Sequence, residues 1–141
     1  MIQRIQSLYL LIAGICLLAL IPFDVLWAGA AASEYPWFTP TVMTLTALTG
    51  VSALGCIFLY NNRQKQLKAV VFVKYLALAV AVVLYGGLWL ADEFVVVDQQ
   101  GILWGLLVPL LLPVLAYVAL FLSQRAIKSD IELVRSMDRL R

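Results

Sequence analysis

The chain is 141 residues long, 64% hydrophobic and only 13% charged, with a mean hydropathy of +0.97 and a formal net charge of +2. Soluble domains lie nearer half apolar and a quarter charged, so this composition excludes an ordinary water-soluble fold and leaves no room for a separate catalytic module. A spanning helix needs about 20 predominantly apolar residues to cross roughly 30 Å of hydrocarbon, and the stretches at about 5–27, 40–60, 69–91 and 102–123 meet that length. They are continuous, not the alternating segments of about ten residues that build a β-barrel. The predicted fold is therefore all-α: a transmembrane four-helix bundle over residues 1–126, then a short cytoplasmic amphipathic helix in the basic tail 127–141.

The first stretch begins Met1-Ile2-Gln3-Arg4 and imitates a secretory signal, with a basic start, an apolar centre and Ala30-Ala31-Ala32 at its far end. Asp24 and Trp27 interrupt the approach to the alanines, so the segment is expected to stay as a span. Ala13-Gly14-Ile15-Cys16 hints at a lipoprotein box, but Ile15 stands where a small residue is needed. Pro22 loosens the outer end of this span. Asp24 lies close enough to the interface to reach water, which favours a solvated or capping role over an ion relay.

Thr39-Pro40 reads as an N-cap and first-turn proline opening the second span. That span is rich in small and hydroxylated residues, from Thr44 to Cys56, which allow close backbone approach, and it is expected at the centre of the bundle. The polar turn Asn61-Asn62-Arg63-Gln64-Lys65-Gln66-Leu67-Lys68 follows. In the third span Lys74 is within snorkelling distance of the interface and needs no buried partner. The outer loop then places a short β-prone run between Asp92, Glu93 and Asp98; these acids are a weak calcium pattern and read as solvated charge. Pro109 and Pro113 stack on one face of the fourth span, freeing carbonyls that neighbours must satisfy. In the tail, Ser129-Asp130-Ile131-Glu132 fits a capping box and suggests a new helix or a joint. Its apolar residues gather on one side and Arg125, Lys128, Arg135 and Arg139 on the other, as in a helix lying on an anionic leaflet, docked on a partner, or continuing the fourth span into the cytoplasm.

All ten basic residues fall on one side of this topology: Arg4, Arg63, Lys65, Lys68, Lys74, Arg125, Lys128, Arg135, Arg139 and Arg141. The outer loops carry Asp24, Glu34, Asp92, Glu93 and Asp98 and no Lys or Arg. Positive charge in short loops marks the cytoplasmic side, so both termini and the central turn are expected there, in a bacterial inner membrane. The aromatic residues agree: Trp27, Trp37, Trp89 and Trp104 map to the outer boundary, and Tyr9, Tyr60, Tyr75 and Tyr117 towards the inner one.

The chain has no histidine, which removes histidine-ligated haem, the usual zinc and copper sites and histidine proton relays. Cys16 and Cys56 are expected to differ in depth by roughly 9 Å, too far for a disulfide. No phosphate loop, nucleophile–base pair or nucleic-acid module stands out, so no catalytic, cofactor or metal residues are expected.

Two terminal motifs stand out. Met1-Ile2-Gln3-Arg4-Ile5-Gln6, with Arg125-Ala126-Ile127-Lys128 and then Leu133-Val134-Arg135-Ser136-x-Asp138-Arg139-Leu140-Arg141, resembles a Bacteroidota-type family of small four-span membrane proteins classed as a domain of unknown function. The resemblance implies an integral inner-membrane protein, supplies no activity, and adds weight to the use of both ends. The functional expectation is a non-enzymatic accessory or scaffold subunit that meets membrane lipids and another integral membrane protein or complex, and no nucleic acid. Its contacts would run through Arg4, Arg125, Lys128, Arg135, Arg139 and Arg141. The alternative is a small homo-oligomeric transporter or channel using an outer-end carboxylate, with Asp24, Asp92, Glu93 and Asp98 as candidates.

Overall fold

A computed structural model describes residues 2–93, 97–98 and 101–138. In chain order the elements are α1 (Ile2–Leu18), α2 (Asp24–Trp27), α3 (Ala30–Glu34), α4 (Phe38–Gly55), a 3₁₀ segment (Cys56–Asn61), α5 (Arg63–Leu90), β1 (Val97–Asp98), β2 (Gly101–Ile102) and α6 (Trp104–Asp138). The strands form a two-residue antiparallel ladder, with Val97 opposite Ile102; among the described residues the other regular elements are helical. Three helical stretches are long and apolar enough to cross a membrane, Phe38–Asn61, Arg63–Leu90 and Trp104–Ser136, and Ile5–Leu18 is a shorter apolar helix. That is the make-up of a multi-pass membrane protein.

The first apolar stretch is divided, where one span over 5–27 was expected. Pro22 has no N–H for the carbonyl of Leu18, and its ring crowds that carbonyl, so the regular helix stops there. The chain tightens instead into three-residue turns, Leu20 N–H to the Leu17 carbonyl at 3.1 Å and Ile21 N–H to the Leu18 carbonyl at 3.2 Å. Trp27 then donates its indole N–H to the Ile21 carbonyl at 2.8 Å. The second helix also starts earlier than its Thr-Pro signal: Trp37 is the N-cap residue, without a side-chain cap, and Thr39 lies inside the first turn. Pro40 remains in that turn, where a missing N–H costs nothing.

The four long helices pack side by side in a closed ring, α1 against α4 and α6, and α5 against α4 and α6. The small-residue helix α4 therefore holds one corner of the ring and not its centre. Buried positions recur in steps of four and three: Gln6, Leu10, Ala13, Leu17 and Leu20 from α1 onward; Gln66, Val70, Val73, Ala77, Val80, Leu84 and Gly87 in α5; and Pro113, Ala116, Leu120, Ser123, Ile127 and Asp130 in α6. A 3.5-residue period keeps one seam of each helix on its neighbours, as in left-handed helical packing. At the α1–α4 crossing, a Cβ on Gly14 would lie 2.6 Å from Leu54 Cδ2 and 3.3 Å from the Gly50 carbonyl oxygen. Glycine at both positions is what lets these backbones approach.

Outside this core the surface is an apolar girdle. Ile15 on α1, Val51 on α4, Phe72 and Val82 on α5, and Leu115 on α6 all face outward, more exposed hydrocarbon than a soluble monomer carries. Trp37, Trp89 and Trp104 are exposed at one end, and Phe58, Tyr60, Phe72 and Tyr75 towards the other. The stacked prolines are both buried, and the Tyr85 hydroxyl donates to the Leu110 carbonyl at 2.5 Å, one residue on from the Pro109 carbonyl that Pro113 deprives of its helical donor. Thr44 and Thr49 hydroxyls donate back to Pro40 and Leu45 of their own helix.

The tail corrects an expectation. In place of a separate helix over 127–141 joined at Ser129, the alternative of a continued fourth helix is found: α6 runs without a break to Asp138. At 1.5 Å per residue its 35 residues extend about 52 Å, some 20 Å more than the hydrocarbon thickness. Ser129-x-x-Glu132 sits within the helix because Ile127 packs in the core, Ile131 packs against it, and Asp130 has partners on other helices.

Candidate functional site at the basic end

α5 starts, and α6 finishes, at the same end as the N-terminus of α1. Asn62 begins α5 as its N-cap, its side-chain oxygen accepting from the Lys65 N–H at 3.1 Å. The preceding 3₁₀ segment leaves the Cys56 carbonyl outside a regular helical bond, and the buried Gln66 amide donates to it at 3.1 Å. Asp130 of α6 then ties three helices together. Its carboxylate forms an ion pair with Arg63 of α5, and the buried amide of Gln6 on α1 donates to it at 3.4 Å. Arg63, Gln6 and Asp130 were absent from the expected contact set. The Ser129-x-x-Glu132 pattern drew attention to capping, and no local signal marks a partner 67 or 124 residues away.

The antiparallel register of α5 and α6 is fixed further in by Lys74, whose Nζ donates to the Gln124 side-chain oxygen at 2.8 Å. The same ammonium lies 5.4 Å from the Tyr75 ring centroid and 6.0 Å from that of Phe121. Lys74 thus does have a partly buried partner, where none was expected. Its position, about 16 Å along α5 from Arg63, makes a satisfied hydrogen bond worth more than reach to water alone.

This register opens a groove between the start of α5 and the extension of α6. One part, of about 530 Å³, is lined by Asn61, Asn62, Arg63, Ile131, Val134 and Arg135 among others. The adjoining part, of about 300 Å³, is lined by Leu67, Lys68, Lys128, Ile131, Glu132 and Arg135. Of the expected contact residues, Arg125, Lys128 and Arg135 are exposed on α6 at this end, and the last two border the groove. Arg4 stands in the first turn of α1, while Arg139 and Arg141 lie outside the described residues. Lys68, missed by sequence reasoning, faces Lys128 across the groove. Its signal was present in the basic central turn.

At the opposite end the candidate carboxylates do separate work. Asp24 is exposed in the first turn of α2. Asp92 has φ 53°, the left-handed conformation that ends α5; its N–H bonds the Trp89 carbonyl at 3.2 Å and the Glu93 N–H bonds the Leu88 carbonyl at 3.0 Å. This is the Schellman arrangement, usually made with glycine. Glu93, expected as solvated charge, instead accepts from the Ala30 N–H and, at 2.9 Å, from the Ala31 N–H at the start of α3. Gly29 leaves the space for its carboxylate, since any Cβ there would strike it. Asp98 lies on β1. A cleft of about 370 Å³ lined by Val25, Glu93, Leu103, Gly105 and Leu106 opens beside this cap. Among the described residues no group of three or more histidine, cysteine or acidic side chains is placed to hold a metal ion. The two cysteines are free thiols.

No curated protein and no solved structure gives a significant match to the chain. The domain of unknown function DUF4293 matches residues 2–140, nearly the whole length. The chain therefore belongs to the DUF4293 family.

Proposed function

We propose that this is a non-enzymatic, four-span protein of the bacterial inner membrane, with both termini and the α4–α5 turn in the cytoplasm, that serves as an accessory or scaffold subunit of a larger membrane complex. The observation that carries this reading is the extension of α6. It continues beyond the length a bilayer requires, is fastened by Asp130 to Arg63 and Gln6, and leaves Leu133 and Val134 about half exposed among basic residues. A helix end held in one orientation, with apolar side chains in water, is suited to docking on another protein. The orientation is supported by the gathering of Arg63, Lys65, Lys68, Lys128 and Arg135 at that end and of Asp24, Glu34, Asp92 and Glu93 at the other. Transport through an embedded carboxylate fits less well, because Asp24 is exposed and lies outside the long helices.

The test is purification of the tagged full-length protein in nanodiscs, with mass spectrometry of what remains bound. One membrane protein in stoichiometric amount, released by Leu133→Glu without loss of helical content, is the expected result. Recovery of copies of this chain alone would contradict it.

A further inference from the structure

We propose that the groove between α5 and the α6 extension binds the phosphodiester headgroup of an anionic glycerophospholipid. Lys68 on one helix and Lys128 and Arg135 on the other border a single groove, and all three are exposed. Arg63 is held by Asp130, and that is the one ion pair found among the described residues. Against three available cations the lining offers the carboxylate of Glu132, so the groove has an excess of positive charge that the single negative charge of a phosphodiester would offset in part. Guanidinium and ammonium groups together supply forked and point-charge donors to phosphate oxygens. The amides of Asn61 and Gln64, in the adjoining part, stand where hydroxyls of a polar headgroup would lie.

A lipid, not a free phosphate, is the fitting occupant because the groove does not end in water. Its floor contains Leu67 and Ile131. From Lys68, the helical repeat of α5 continues through Tyr75, Leu78 and Val82, exposed by 61%, 45% and 63%. From Lys128, the repeat of α6 continues through Phe121 and Val114, exposed by 48% and 47%. Lys74 lies within cation–π reach of both Tyr75 and Phe121, which places these rings on one seam directly below the groove. The distance from Lys68 to Leu90 along α5 is about 33 Å, close to the hydrocarbon thickness. The cations therefore stand at headgroup depth, and the seam offers a track for acyl chains. Basic pockets between helices at this level are a recognised mode of anionic lipid capture.

The experiment is native mass spectrometry of the full-length protein in detergent, titrated separately with phosphatidylglycerol, cardiolipin, phosphatidylcholine and soluble glycerol phosphate. Retention of phosphatidylglycerol or cardiolipin should exceed that of phosphatidylcholine by about tenfold or more, given two to three cations at the surface. The double substitution Lys68→Gln/Lys128→Gln should abolish the preference, whereas Lys65→Gln, an exposed cation off the groove, should preserve it. Equal retention of charged and zwitterionic lipids would overturn the proposal. So would an equal loss from Lys65→Gln, which would mean diffuse surface charge, or displacement of lipid by glycerol phosphate at matched concentration, which would mean a site for soluble phosphate.

Discussion

Asp92 shows how much one backbone angle decides. The left-handed conformation costs an L-residue roughly 1–2 kcal/mol, and glycine escapes this cost at some expense in unfolded-chain entropy. Asp92 is exposed and closes α5 through its backbone N–H, so Asp92→Gly should stabilise the protein by about 0.5–1 kcal/mol. A thermal melt in detergent checks it: the transition should move upward, with helical content unchanged. At the same scale lies the difference between an acid that looks solvated and one that is a cap. Glu93 follows the Schellman turn directly, so the geometry that stops α5 also aims this carboxylate at the N–H groups of Ala30 and Ala31. Three acids in one loop read alike along the chain; backbone direction separates them.

At the scale of the element, three of the four apolar stretches were legible as long helices, the break after Leu18 was not, and neither were the buried faces. Hydrocarbon demands long uninterrupted apolar helices, and that requirement is written in composition. It imposes no contrast between the core and the lipid face, because both are apolar: Val80 is buried and Val82, two residues on and on the opposite face of α5, is 63% exposed. Only the small residues of the second span, Gly50 among them, hinted at contact; its partner Gly14 had read as part of a lipoprotein-like pattern. The tail misled for a different reason. Ser129-x-x-Glu132 is compatible with a helix start, but the same four residues are accommodated inside a continuing helix once Ile127 is buried and Asp130 is paired. If Asp130 is the fastening, Asp130→Ala should destabilise the basic end by about 1–3 kcal/mol, a figure kept low because Arg63 is 31% exposed and partly screened. Hydrogen exchange should then accelerate in α6 from Ile127 onward and remain unchanged around Ala116. Uniform exchange across α6 in the variant would show that packing alone holds the extension.

For the whole molecule, the informative quantity is where charge lies along the helix axes, because net charge is only +2. Successive long helices reverse direction, and this reversal carries the basic central turn and Arg125, Lys128 and Arg135 of α6 to one end while Asp24, Glu34, Asp92 and Glu93 meet at the other. The docking surface and the lipid groove both presuppose that the basic end faces the cytoplasm and that α1 crosses the membrane despite stopping at Leu18. Cysteine accessibility in intact cells tests this directly. With Cys16 and Cys56 replaced by alanine, single substitutions Ser33→Cys, Gln64→Cys and Ser136→Cys each offer an exposed position for a membrane-impermeant maleimide. Ser33→Cys should be labelled from outside, and Gln64→Cys and Ser136→Cys only after the membrane is opened. Labelling of Ser33→Cys and Gln64→Cys from the same side, or of Gln64→Cys in intact cells, would contradict the four-span topology on which the account rests.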